Sequence, residues 1–442
     1  MKIVAQVTKA VQSMLIAAAE AADATLGYTK RPDRAKFSAS TLVQTLVFGW
    51  LAHPDASVEQ LAQSAARVGV EVSPQAIDQR FTPETATLLQ TVLQNSTEQL
   101  IASEPVAIPI LQRFNGVYVH DCTTISLPEA LTDTWRGCAG DGSTAALKCG
   151  VQLDLLRGSL QTLDLTDGRA NDQTLPMQQA PLPKGALRLA DLGFYDLKLL
   201  ARLSEEGVYW LTKVRVGTLL GDESSAVMGL LAFVKRLGDV RQWEGWVWVG
   251  GKGQLRARLM VERVPQEVAD QRRRRLRKEA QDKGRSPSEE ALALAAWTLL
   301  LTNVPEAMLS VKEALVVAKV RWQIELVFKL WKSHGKLASW RTEKPARILC
   351  EVYGKLLAML LQHWVLVLGC WSYPERSLVK AAQVVRDHAV VLACVCRDAV
   401  RLSEALEVVQ CVLKSTARMN TRHTKPNTYQ LLLALTTQPE EA

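Results

Sequence analysis

The 442-residue chain contains no Cys-x-x-Cys pair and no cysteine–histidine spacing of a zinc site, although it carries eight cysteines. Scattered thiols of this kind read as small buried side chains in a reducing compartment, which excludes a disulfide-stapled secreted domain. A long apolar run is missing too. The stretch Leu356 to Leu368 is apolar but interrupted by Gln362 and His363, and it falls short of the roughly 18–20 residues needed to span a bilayer. The amphipathic N-terminus is broken by Gln12 and Ser13, unlike the h-region of a signal peptide. No membrane association is expected, and the reading is of a cytoplasmic protein. Charge of one sign is not dominant either: 53 Lys and Arg against 45 Asp and Glu leave a net +8, a modest lean toward a polyanionic partner. No internal repeat or low-complexity tract is evident, and an apolar fraction of 48% excludes a mostly disordered chain.

Tryptophan is abundant instead, with 12 copies beside 7 Phe and 7 Tyr. Flat rings beside cations suit stacking on bases, although most such rings serve the core. The length calls for two to four domains. Residues 1 to about 105 read as helical. Ser38 caps an apolar helix, and Ser57 with Gln60 makes a capping box. Gly69 stops that helix, and Ser73-Pro74 opens a short one through Arg80. Helix, glycine turn and Ser-capped helix outline a helix-turn-helix, with Gln75, Asp78, Gln79 and Arg80 as candidate base readers. Ordinary helical hairpins share this outline.

From Val117 the apolar period changes to two. Val117, Val119 and Asp121 share one strand face, and the pattern returns at Leu187, Leu189 and Asp191. A strand-ending Asp is common turn chemistry. Two that follow the buried side each need a cation or hydrogen-bond donors, because an unpartnered buried carboxylate costs several kcal/mol. Strands at 149–156 and 160–165, joined at Arg157-Gly158, lie between them. A helix over 192–204 and a strand over 208–214 follow. The result is a mixed sheet flanked by helices. Residues 217 to about 294 interrupt this plan with a Trp-rich hairpin (243–249 and 254–261, turning at 250–253) and a basic run at 271–285, which includes Arg273 and Arg274. Such a run is often a solvated helix face; in a DNA-handling protein it meets phosphates. A buried strand spans 295–303, and helices are expected over 348–368, 377–386 and 390–413, then a polar tail.

The stretch Ala318 to Lys332 reads as one helix with Val320, Ile324, Val327 and Trp331 on its buried stripe. Arg321, Glu325 and Lys332 share a neighbouring stripe. An Arg–Glu pair four residues apart is ordinarily a solvated ion pair worth about 0.2–0.5 kcal/mol. Here it joins Asp121 and Asp191: three acids on separate elements of one α/β core suit two divalent ions, and hard oxygen ligands select Mg²⁺ or Mn²⁺.

These motifs resemble the DDE transposases of bacterial insertion sequences, in the group marked by a Tyr-x2-Arg-x3-Glu-x6-Lys signature. Arg321, Glu325 and Lys332 match that spacing, with Ala318 where the group has Tyr. DCTTISLP at 121–128 and DLGFYD at 191–196 are similar to the group's two Asp motifs. The resemblance implies an RNase H-like core over residues 106–345 with a β-strand insertion at about 217–294, between a helical DNA-binding region (1–105) and a helical dimerisation region (346–442). It implies that Asp121, Asp191 and Glu325 hold two metal ions and catalyse cleavage at transposon ends followed by 3′-hydroxyl strand transfer. Arg321 and Lys332 would contact DNA phosphates, and Trp297 would stack on a flipped base, a position that plain core packing serves equally. A homodimer on paired DNA ends, in the cytoplasm at the nucleoid, is the implied working form. Ala318 leaves open an inactivated relative that still grips DNA, or a metal-dependent nuclease or resolvase on the same core.

Overall fold

A computed structural model describes residues 2–30, 35–138, 143–221, 227–251, 255–421, 424 and 426–437. Six helices come first: α1 (Lys2–Gln12), α2 (Ala18–Leu26), α3 (Ala39–Ala52), α4 (Val58–Arg67), α5 (Pro74–Asp78) and α6 (Pro83–Ser96). Their starts follow local chemistry. Ser38 accepts from Thr41 N–H, and Ser57 and Gln60 complete a reciprocal capping box. Gly69 ends α4 with φ +87°, which favours glycine. The short helix expected through Arg80 ends at Asp78. Asp78 pairs with Arg347 at 2.6 Å, and Arg80 lies over the Phe37 ring. Of the four candidate base readers, only Gln75 and Gln79 are exposed.

After α7 (Pro109–Gln112) the chain enters a ten-stranded sheet: β1 (Val117–Leu127), β2 (Ala145–Asp154), β3 (Leu160–Asp167), β4 (Leu187–Ala190), β5 (Tyr209–Lys213), β6 (Leu219–Gly221), β7 (Val227–Gly229), β8 (Gln242–Val249), β9 (Leu255–Arg263) and β10 (Trp297–Thr302). The spatial order is β3-β2-β1-β4-β5-β10-β9-β8-β6-β7. β1, β2 and β3 pair antiparallel, while β4 and β5 run parallel to β1. That is an RNase H-like core, as the sequence leads one to expect. The inserted strands extend the same sheet rather than forming a separate layer, because β10 pairs with β5 on one side and β9 on the other. The start of β9 expected at Gln254, and the Lys252-Gly253 turn, lie outside the described residues. The last strand begins two residues later than expected, because α11 (Glu289–Leu294), capped by Ser288, runs up to it.

The other helices are α8 (Leu197–Glu205), α9 (Leu230–Arg236), α10 (Gln266–Gln281), α12 (Val311–Val320), α13 (Trp322–Lys329), α14 (Pro345–Gly369), α15 (Leu378–Val395), α16 (Ala399–Ser415) and α17 (Thr428–Thr437). The expected break near residue 388 is absent. It falls instead at Asp398, whose carboxylate caps α16 by accepting from Val400 and Arg401 N–H. The expected polar tail contains α17, whose Leu432 is buried in the main core. Helix α14 is long and apolar enough to cross a membrane, but its apolar window is wholly buried inside the fold. It packs against α3 and α6 from the other end of the chain.

At that crossing a Cβ added at Gly354 would lie 2.1 Å from Trp50 Cζ3, so glycine is what lets the two helices approach. Gly354→Ala is expected to lower stability by about 1–3 kcal/mol, overpacking outweighing the gain in helix propensity. A urea titration would show it as a lower midpoint at unchanged slope.

Candidate active site

β1 and β4 run side by side, and their last paired residues are His120 and Ala190. One step further along each strand stand Asp121 and Asp191, so parallel register alone makes the two aspartates neighbours. Asp191 is the first residue past β4 and opens a short 3₁₀ turn. Asp121 Oδ1 accepts from Cys122 N–H at 2.8 Å. Its Oδ2 accepts from Arg321 Nη1 at 2.7 Å, while Arg321 Nη2 donates to Glu325 Oε1 at 2.7 Å. One guanidinium therefore bridges two carboxylates that lie 204 positions apart in sequence.

The helix that supplies Arg321 and Glu325 is not uniform. Ser310 and Glu313 form a capping box at its start. Its regular hydrogen bonding is interrupted at Arg321, between α12 and α13, and it widens to a π-turn over Leu330–His334. The buried stripe is as expected, with Val320, Ile324, Val327 and Trp331 all at 3% exposure or less. Past Lys329 the 3.6-residue period no longer applies. Lys332 Nζ donates to Thr124 O at 2.6 Å, so it sits along β1 three residues beyond Asp121. Ala318 is half-buried against the core one turn before Arg321.

Burial pushes the Asp121 carboxyl up to about 6. Arg321 and the Cys122 N–H oppose the shift, whereas Asp191 and Glu325 add to it. The guanidinium offsets only part of the cost of burying the Asp121 charge. All the donors are carboxylate oxygens, the set that hard divalent cations require, so the residues fit Mg²⁺ or Mn²⁺. The three acids are not gathered into an ion cage among the described residues. Among the described residues no three acid, histidine or cysteine side chains stand close enough to hold one ion, because Arg321 lies between Asp121 and Glu325.

The insertion borders this site. Arg275 on α10 is held above the usual arginine range by its bond to Glu279, with a smaller contribution from Glu325. Arg274 on the same helix is exposed, whereas Arg273 ties α10 to α11 through Leu292 O at 3.1 Å and pairs with Asp270. Arg272 donates to Trp297 O and Thr298 Oγ1. Trp297 is half-buried against the insertion's core, with the Arg263 guanidinium 5.5 Å above its ring.

Sequence reasoning missed the support behind the site. Lys148 on β2 donates to Asp172 Oδ1 at 2.8 Å and to Ala170 O. A Cβ at Gly193 would lie 2.7 Å from Asp172 Oδ2, and Gln173 donates to Tyr195 O at 2.8 Å. The 170–173 loop is thus clamped onto the turn that follows Asp191. The available signal was Lys148 itself, a lone charge in the otherwise uncharged stretch AALKCGVQL. His120, which precedes Asp121 on β1 and so lies on the opposite strand face, is 1% exposed, and its imidazole is held well below its ordinary range by burial and by Arg188.

The chain is similar to known proteins along most of its length. A family model described as "Transposase DDE domain" matches residues 112–361. The chain is 24% identical over 425 residues to the transposase for insertion sequence element IS231F of Bacillus thuringiensis subsp. israelensis, covering 90% of this chain and 88% of that one. It is 24% identical over 344 residues to the transposase for insertion sequence element IS1151 of Clostridium perfringens, covering 72% of each. A shorter stretch of 179 residues is 29% identical to the putative transposase InsL for insertion sequence element IS186A of Escherichia coli (strain K12), 39% of this chain and 46% of that one.

Proposed function

The chain belongs to the DDE-domain transposase family, and from that premise we propose that Asp121, Asp191 and Glu325 are the catalytic acids of metal-dependent cleavage at transposon ends and of 3′-hydroxyl strand transfer. The observation that carries this reading is the Arg321 bridge between Asp121 and Glu325 beside the Asp121–Asp191 strand pair. Two Mg²⁺ or Mn²⁺ ions held by these three carboxylates would supply activation of the attacking hydroxyl and stabilisation of the leaving oxygen.

The chain's own side chains do the rest. Arg321 holds the acids together while they carry excess negative charge. It must release them to make room for ions, and its planar fork then suits a phosphate. Lys332, fixed along β1, places a second cation beside the same strand. Trp297 is our candidate for stacking on a base displaced at the cut, and Arg274 for a phosphate contact flanking it. In the first step water attacks the phosphorus at the element end, the P–O3′ bond breaks and a 3′-hydroxyl leaves. In the second step that hydroxyl attacks a target phosphodiester, joining the element to the target and releasing a target 3′-hydroxyl. We place the protein in the cytoplasm on nucleoid DNA, working as a homodimer on two ends. We assign it to the Tyr-Arg-Glu-Lys group despite Ala318, since Arg321, Glu325 and Lys332 keep the group's spacing.

The test is incubation with linear DNA carrying the element's terminal repeats. With Mg²⁺, 3′-hydroxyl ends and target-joined products are expected; with EDTA, neither. Ends that form without ever joining would favour a nuclease. Binding without cleavage in either metal would favour an inactivated relative.

A further inference from the structure

The insertion ends in a sheet face that the catalytic reading does not use. On β8, Val247 and Val249 point into the core, at 3% and 0% exposure. Trp246 and Trp248, which alternate with them, therefore point outward, each 42% exposed. The flanking strands continue that face. Trp248 pairs with Gly221 of β6, Gly221 pairs with Val227 of β7, and Leu219 and Val227 are 42% and 49% exposed. The Arg256 guanidinium lies 5.7 Å from the Trp246 ring, and Arg256 is the register partner of Trp248. The acid nearest on β8, Glu244, is held by Arg258 at 3.4 Å, and Arg258 is itself anchored on Leu309 O.

We propose that Trp246, Trp248 and Arg256 form a stacking platform for single-stranded DNA. Residues two apart on a strand stand about 7 Å apart, twice the roughly 3.4 Å advance per nucleotide along one DNA strand. Two rings at that interval are in step with every second base of a stacked strand, and base faces are open to a flat ring only in unpaired DNA. A guanidinium beside one ring adds a cation to this face, on a chain that is itself basic. Among the described residues the patch holds four partly exposed apolar side chains, far short of the 20–30 residues a side that a stable dimer interface uses. The inference rests on the chain handling DNA, not on which acids are catalytic.

The test uses the full chain in EDTA with a fluorescein-labelled 12-nucleotide oligo(dT), read by anisotropy. Binding without metal separates this result from any cleavage result. Binding is expected, weakened at least about tenfold by W246A or W248A alone and more by both. Duplex terminal-repeat binding should stay within about twofold. With one arginine on the platform, the logarithmic salt slope should be shallow, about −0.7 per phosphate contacted. Photo-crosslinking of a 5-iodouracil oligonucleotide should map to Trp246 or Trp248 by mass spectrometry. The proposal is overturned if the parent chain does not bind oligo(dT), or if a folded double variant, matched by circular dichroism, binds it as well as the parent. It is equally overturned if the substitutions split a dimer seen in sedimentation, since the face would then belong to a second copy.

Discussion

Glu325→Gln is expected to lower the rate of strand cleavage on terminal-repeat DNA by at least about 10³-fold, equivalent to roughly 4 kcal/mol in the barrier, while end binding in EDTA changes little. The substitution keeps the length and planarity of the side chain and removes only its charge. Glu325 has few structural duties that a neutral amide would fail. Its carboxylate is 39% exposed and its bond comes from Arg321 four residues earlier, an arrangement worth only a few tenths of a kcal/mol to folding. A large fall in rate with unchanged stability would therefore report lost ion binding, not damage to the fold. Parallel assays in Mg²⁺ and Mn²⁺ and a urea titration of both proteins complete the check. If Glu325→Gln cuts as fast as the parent, the assignment of the catalytic acids is wrong.

The features that make this site were unequally legible in the sequence. The two aspartates were visible because strand periodicity is local: Val117, Val119 and Asp121 alternate, and so do Leu187, Leu189 and Asp191. That β4 lies beside β1 in parallel is a matter of crossover topology, which alternation does not encode. Arg321 and Glu325 were visible as a helical pair. That Arg321 reaches across to Asp121 depends on how the helix is laid over the sheet. The π-turn at Leu330–His334 was hidden because its residues obey an ordinary helical pattern up to Trp331, and only a carbonyl on another element, Thr124 O, shows where Lys332 goes.

The support around the site was least legible. Lys148 reads as an anomaly in a strand until Asp172 is seen beside it. The N- and C-terminal helices each show a clear amphipathic or apolar pattern, yet nothing local says that Gly354 will meet Trp50 some 300 residues away. The insertion hairpin was legible as strands. Its continuation of the main sheet, which brings α10 and Arg275 to the border of Glu325, follows from β10 pairing on both sides.

Asp121→Asn should lower the cleavage rate by a similar factor, but with a pH-dependent effect on stability. Burial is the main reason the Asp121 carboxyl is raised to about 6 from the ordinary 3.8. For an acid whose folded value is raised, the native state binds the proton more tightly than the unfolded chain. The cost of ionising Asp121 is then nearly absent below about pH 4 and fully present above about pH 6. It approaches 3 kcal/mol for a shift of about two units. Asparagine has no charge to bury, but it offers one acceptor where Cys122 N–H and Arg321 both need one, a loss of about 1–3 kcal/mol that does not vary with pH. The two terms separate on titration. Between pH 4.5 and 7.5, in EDTA, the parent is expected to lose about 2 kcal/mol relative to the variant, read from urea midpoints at each pH. Groups that do not face Asp121 titrate alike in both proteins and cancel. Adding Mg²⁺ at pH 7.5 supplies the charge that Arg321 supplies only in part. At ten times its dissociation constant the ion should stabilise the parent by about 1.4 kcal/mol and the variant by much less. A relative stability that is flat with pH would show that burial does not raise the proton affinity of the Asp121 carboxyl. Equal Mg²⁺ stabilisation of both proteins would remove it from the ion site.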